Sequence, residues 1–176
     1  MEIGCAGPIA GFIVALPTLV YGLSLSYVSP LLGIEGVNFG SSLILNICAE
    51  LVLGVDPQSS DLNINLHPIA FAGWIGMLVT ALNLIPIGQL DGGHIVFALS
   101  PKQHKWTGRL FFLALFPLGY FWTGWFFWAV MIVLVGFKTA PLLDDTEELG
   151  TLHRVLGLVS ISIFLVTFIP IPFSLL

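Results

Sequence analysis

Charge is what this sequence has least of. Only 9% of its 176 residues are Asp, Glu, Lys or Arg, where ordinary globular domains carry about 25%. With 57% hydrophobic residues and a mean hydropathy of +1.01, that scarcity excludes an ordinary soluble domain and predicts one integral-membrane domain over residues 1–176. Lys and Arg together number five against ten Asp and Glu, a formal net charge of −5, and such a chain has no basic surface for nucleic acid. Cysteine is equally sparse. Cys5 and Cys48 stand alone in apolar surroundings without CxxC spacing, which excludes a disulfide framework and a cysteine zinc site and leaves them as packing residues.

Long apolar runs, by contrast, recur along the whole length. Residues 9–29 read as a first span, with Pro17 inside it and Gly7, Pro8 and Gly11 at its start. Small residues there admit a neighbouring helix closely; the plainer alternative is an ordinary helix start with Pro8 in its first turn. Residues 30–67 hold Glu35, Glu50, Asp56 and Asp61 but no Lys or Arg, and within them Leu43 to Leu53 is too short to span, so it reads as interfacial or re-entrant. His67, just before Pro68, reads as an interfacial residue. A second span runs from Ile69 toward Leu99, followed by the basic segment SPKQHKWTGR.

The third apolar stretch, residues 110–137, is long for one helix and short for two. Pro117, Gly119 and Gly124 among Tyr120, Trp122 and Trp125 mark a turn at its middle and predict a helical hairpin. On that reading Lys102, Lys105, Arg109, Lys138 and Arg154 all lie on one side of the bilayer, which the positive-inside rule makes cytoplasmic, together with the N-terminus. Residues 138–153, with Asp144, Asp145, Glu147 and Glu148, become a solvated cytoplasmic loop, and residues 155–169 the last span. The predicted fold class is therefore all-α: a polytopic transmembrane bundle of about four spanning helices, with a short interfacial or re-entrant segment and an unwound loop at the LDGG element.

One residue breaks the pattern. Asp91, in NLIPIGQLDGGH (residues 83–94), places a carboxylate where the preceding run from Ile69 to Ile87 predicts hydrocarbon. A charged side chain at the centre of a spanning helix costs roughly 2.5–3.5 kcal/mol, so a compensating role is expected. Pro86 lacks a backbone donor, and Gly88, Gly92 and Gly93 weaken helix, so the stretch is predicted to unwind beside other helices or water. A carboxylate there can bind a metal, a proton or a cation. The alternative is an Asp that caps a new helix at Gly92.

NLIPIGQLDGGH, the upstream CAGPIAGFIVALP, HPIAFAGW, GWFFWAV, PLLDD and the closing TFIPIPF together resemble the site-2 protease family of intramembrane zinc metalloproteases, over nearly the whole chain. In that family zinc is held by two histidines of an HExxH helix, whose glutamate is the general base, and by the aspartate of the LDG element. The resemblance implies that Asp91 is the third zinc ligand and that Asn83 orients the substrate backbone, its amide offering donor and acceptor. It assigns Pro86, Gly92 and Gly93 structural roles, the two glycines letting backbone approach the metal. His94, three residues after Asp91, is expected to hold the carboxylate by a hydrogen bond, or alternatively to join the metal.

The departure from the family is that no HExxH occurs here. His67, His94, His104 and His153 are too dispersed to make the pair, and none is followed by Glu. The family's HExxH helix would precede the GPxxG segment, so the expectation is a catalytic-core portion whose HExxH lies in a missing N-terminal half, and a chain inactive by itself with an incomplete zinc site. Expected partners are the lipid bilayer, transmembrane-segment substrates and that missing half. Two other classes stay open: a non-catalytic relative that binds transmembrane segments, and a small channel or transporter that uses Asp91.

Overall fold

A computed structural model describes residues 2–30, 37–57, 62–135 and 150–175. Along the chain these form α1 (Glu2–Ser24), β1 (Tyr27–Pro30), β2 (Val37–Phe39), α2 (Leu43–Leu53), β3 (Leu62–Asn65), α3 (Pro68–Asn83), α4 (Asp91–Leu99), α5 (Pro101–Phe121), α6 (Gly124–Val135), α7 (Thr151–Thr167) and β4 (Phe173–Leu175). The described residues are thus mostly helical. Among the described residues four short strands accompany the helices. Two compact units divide the chain, one of Met1–Ile9 with Leu82–Phe164, the other of Ala10–Ala81 with Leu165–Leu176.

In the second of these units the apolar faces of three helices meet. Ala15, Leu19 and Leu23 of α1, Leu45, Cys48 and Ala49 of α2, Trp74 and Met77 of α3, and Ile169 form one buried cluster. Backbone approaches backbone here, because a Cβ on Gly73 would stand 2.6 Å from Leu19 Cα and one on Gly22 would collide with the Ala70 backbone. Trp74 donates its indole N–H to the Gly40 carbonyl at 2.8 Å, while its ring lies 5.4 Å from Phe39 and 5.2 Å from Phe173. A buried tryptophan needs such a partner for its one polar atom.

Helix α2 has the bounds its sequence signals. Ser42 accepts from the Leu45 amide at its start, and Gly54 closes it in the left-handed region at φ 66. The flanking strands pair antiparallel, β1 with β3 (Tyr27 opposite Asn65) and β2 with β4 (Phe39 opposite Phe173). Asn65 donates to the Ser29 hydroxyl at 2.8 Å, and Ser26 accepts from the His67 amide at 2.9 Å. His67 in turn takes the Ile69 amide on its Nδ1 at 3.2 Å. Its side chain is engaged at the start of α3.

In the other unit the long third stretch resolves into two helices, α5 and α6, joined at Trp122–Thr123, the turn that its Gly and aromatic residues predicted. Gly119 makes their approach possible, since a Cβ there would stand 2.6 Å from the Phe126 ring. The basic segment forms the first half of α5. Pro101 at its N-terminus loses no hydrogen bond, and Lys, Gln and Arg are good helix formers.

Other boundaries also move. The first helix spans Glu2–Ser24 rather than residues 9–29, because residues 27–30 are drawn into strand pairing, and Pro8 lies well inside it rather than in its first turn. The last helix runs Thr151–Thr167. Among the described residues, Gly4–Ser24 is the one helical stretch long and apolar enough to cross a membrane; the apolar helices at Leu43–Leu53, Pro68–Asn83, Gly124–Leu134 and Thr151–Thr167 are shorter. Glu35, Asp61, Lys138 and the acidic residues 144–148 lie outside the described residues.

Candidate functional site

The second apolar run does not continue as one helix. It stops at Asn83 and resumes at Asp91, and the seven intervening residues turn by short backbone bonds: Ile85 amide to Leu82 carbonyl at 3.3 Å, Ile87 to Ile85 at 2.8 Å, Leu90 to Ile87 at 3.2 Å. Pro86 donates nothing, and Gly88 sits at φ 55, a conformation that costs a side-chain-bearing residue roughly 1–2 kcal/mol. Leu84, Ile85, Pro86, Ile87 and Gly88 are all buried. The break therefore lies one step upstream of its expected place: residues 84–90 are unwound, and the DGG of LDGG opens α4.

Helix α4 packs its first turn directly on that break. A Cβ on Gly92 would run into the Leu84 carbonyl oxygen, and one on Gly93 into that of Gly88. Their missing side chains thus admit the chain's own backbone.

Asp91 is half-buried as the first residue of α4, where the N-cap position belongs to Leu90. This removes the reading of Asp91 as N-cap; its charge still lies at the favourable end of the helix dipole. From α1, Gly7 faces it: a Cβ there would lie 3.5 Å from Asp91 Oδ2, and one on Gly4 would lie 3.3 Å from His94 Cβ. The GPxxG segment and the LDGGH segment, remote in sequence, are neighbours. His94 is half-buried one turn along α4 from Asp91. Asn83 is the exposed last residue of α3, on the far side of the break.

His104 is the residue that sequence reasoning missed. It is 6% exposed at the start of α5, bonds the backbone of Gly93 and meets the Phe97 ring edge-on at 5.3 Å. Burial, then the nearby charges of His94 and Lys105, hold its imidazole below the usual histidine pKa despite that hydrogen bond. The signal was present: His104, Gly108, Leu115 and Gly119 form one helical face once SPKQHKWTGR is taken as helix.

Among the described residues no group of three His, Cys, Asp or Glu side chains gathers as a metal site. They do not fit a complete zinc centre, which needs three protein ligands.

A family model described as Peptidase family M50 matches residues 1–115, which include Gly7, Asn83, Asp91 and His94. The chain belongs to this family, that of the site-2 proteases. Family membership suggests a metallopeptidase and zinc. The probable zinc metalloprotease EGY1, chloroplastic, of Arabidopsis thaliana is 28% identical over 178 residues, covering 97% of this chain and 32% of that protein. The probable zinc metalloprotease EGY2, chloroplastic, is 31% identical in Oryza sativa subsp. indica (98% of this chain, 32% of the relative) and 31% in Arabidopsis thaliana (99% and 32%). This M50 chain spans about a third of the length of these relatives. No solved structure matches it.

Proposed function

We propose that this chain is the Asp91-bearing part of a site-2-type intramembrane metalloprotease that cuts transmembrane segments. The observation that carries the reading is Asp91 itself, a carboxylate after a buried Pro/Gly break, facing a glycine of α1, within the region matched to M50. Irregular backbone at membrane depth is tolerated where protein or water covers it, and that is also where a substrate can be received.

In this proposal Asp91 is the one metal ligand the chain contributes. The two histidines and the general-base glutamate come from an HExxH segment outside the 176 residues. Asn83, exposed at the lip of the break, hydrogen-bonds the substrate backbone, and His94 steadies the carboxylate. Membrane placement draws support from the exposed apolar faces of α1 (Ile13, Val14, Tyr21) and α6 (Phe127, Val130, Leu134), which water would not favour. A multi-pass protein with the N-terminus and the 101–108 segment on the cytoplasmic side is part of the same proposal.

The test uses the protein with its HExxH segment, fused in frame or co-expressed. Asp91→Asn should abolish cleavage of a single-span substrate and lower bound zinc, because the amide keeps the shape and loses the charge. Full cleavage with zinc retained would sink the assignment. A second reading of the same residues is a non-catalytic binder of transmembrane segments. That reading requires substrate capture without cleavage when the HExxH segment is supplied.

A further inference from the structure

The first half of α5 presents a face that the proteolytic reading does not use. Lys102, Lys105, Trp106 and Arg109 stand at i, i+3, i+4 and i+7, so they share one side of the helix, and all four are exposed, Trp106 at 73%. The opposite side, His104 and Gly108, is buried. Arg109 lies over the Trp106 ring, 5.9 Å from its centroid. Three of the five Lys and Arg in a chain of net charge −5 are therefore gathered on two turns of one helix. None of the ten acidic residues falls between Gly92 and Leu143 to neutralise them locally.

The same stripe continues without charge. Leu113, Phe116 and Tyr120 carry it forward at spacings of four, three and four from Arg109, all exposed. Along one face, then, the helix is basic and aromatic for its first two turns and apolar afterwards, with the boundary between Arg109 and Leu110. That order fits a helix which leaves the headgroup layer and enters hydrocarbon: tryptophan favours the interface, and the long stems of Lys and Arg hold their charges at headgroup level. An acidic protein would match the cations but not the apolar continuation of the same face.

We propose that Lys102, Lys105, Trp106 and Arg109 form a binding surface for the headgroups of anionic phospholipid, which anchors α5 at one leaflet. The inference rests on the membrane placement proposed above. The two cations nearest the hydrocarbon, Lys105 and Arg109, flank Trp106 and grip the headgroup phosphate, while the indole fills the space beside the glycerol backbone. Attraction of this kind decays within a Debye length and is salt-sensitive.

The test is lipid selectivity in the full chain reconstituted into phosphatidylcholine vesicles, read by electron paramagnetic resonance as the motionally restricted fraction of spin-labelled phosphatidylglycerol or phosphatidylcholine. The expected result is a several-fold preference for phosphatidylglycerol, reduced toward parity at about 1 M salt, where the Debye length is about 3 Å. Lys102→Gln/Lys105→Gln/Arg109→Gln should remove the preference, Trp106→Ala should reduce it, and Lys138→Gln/Arg154→Gln should leave it. All four stripe residues are exposed, so folding is not at stake; Lys105→Gln alone should still give a partial loss. Retained preference in the triple variant, or equal loss in the Lys138/Arg154 control, would overturn the inference. So would loss of preference on adding inorganic phosphate at constant ionic strength, which would indicate a free-anion site. An alkaline carbonate wash separates this from the parent reading: release of the chain from vesicles refutes membrane placement, whereas retention without selectivity refutes only the lipid surface.

Discussion

At the scale of single residues, the site depends on side chains that are absent as much as on Asp91. Gly92 has the Leu84 carbonyl oxygen where its Cβ would be, and neither backbone can yield without undoing the first turn of α4 or the break beneath it. Gly92→Ala should lower the thermal midpoint of the detergent-solubilised chain. Gly54→Ala, where a Cβ meets nothing and only φ 66 opposes it, should cost roughly 1 kcal/mol. Equal midpoints for the two variants in a thermal melt would contradict the packing argument.

His104 lends itself to a pH experiment. Its folded pKa is depressed by burial, so between that value and the ordinary histidine value near 6.5 the unfolded chain binds more protons than the folded one. The stability it gives is complete above about pH 6.5 and is lost as pH falls from there toward the depressed folded value. Wild type should therefore lose stability on acidification through that window, and His104→Gln should show a flatter profile. Parallel profiles in denaturant titrations at pH 5.5 and 7.5 would place the imidazole's titration elsewhere.

At the scale of elements, the informative feature is that Pro and Gly acted where their backbone chemistry says they should. Pro86 and Gly88 end one helical run and Gly54 another, while Pro101 starts α5. Pro8 and Pro17, by contrast, lie within α1. A single proline does not decide a boundary when the surrounding helix has packing on several turns. The α5–α6 hairpin is short: the apolar part of α5, Leu110 to Phe121, rises about 18 Å against a hydrocarbon thickness of about 30 Å. Its basic first turns must reach the interface by extended side chains if Tyr120 and Trp122 are to approach the other one. On the membrane placement proposed above, the lipid surface on α5 would bear on how this hairpin sits in a bilayer.

For the whole molecule, the proposed topology puts residues 101–108 on the cytoplasmic side and residues 30–66 opposite. An impermeant thiol reagent applied outside intact cells should modify Asn63→Cys, exposed on β3, and spare Ser100→Cys. The reverse pattern would invert the protein. Ser59, the other natural choice in that segment, lies outside the described residues.

Composition and punctuation determined much of this protein unaided. The Pro/Gly cluster located the break to within one element, because it is a local property of the chain, while the scarcity of charge and the isolated carboxylate carry the membrane and Asp91 readings as proposals. Helix α2 was legible to its terminal residues because its caps are local too. Tertiary structure alone decided what the glycines are for, that Gly7 faces Asp91, that His104 reaches Gly93, and that Val37–Phe39 pairs with Phe173–Leu175. Those are contacts between segments remote in sequence, and no propensity or periodicity carries information about which remote backbone will fill the space a missing side chain leaves.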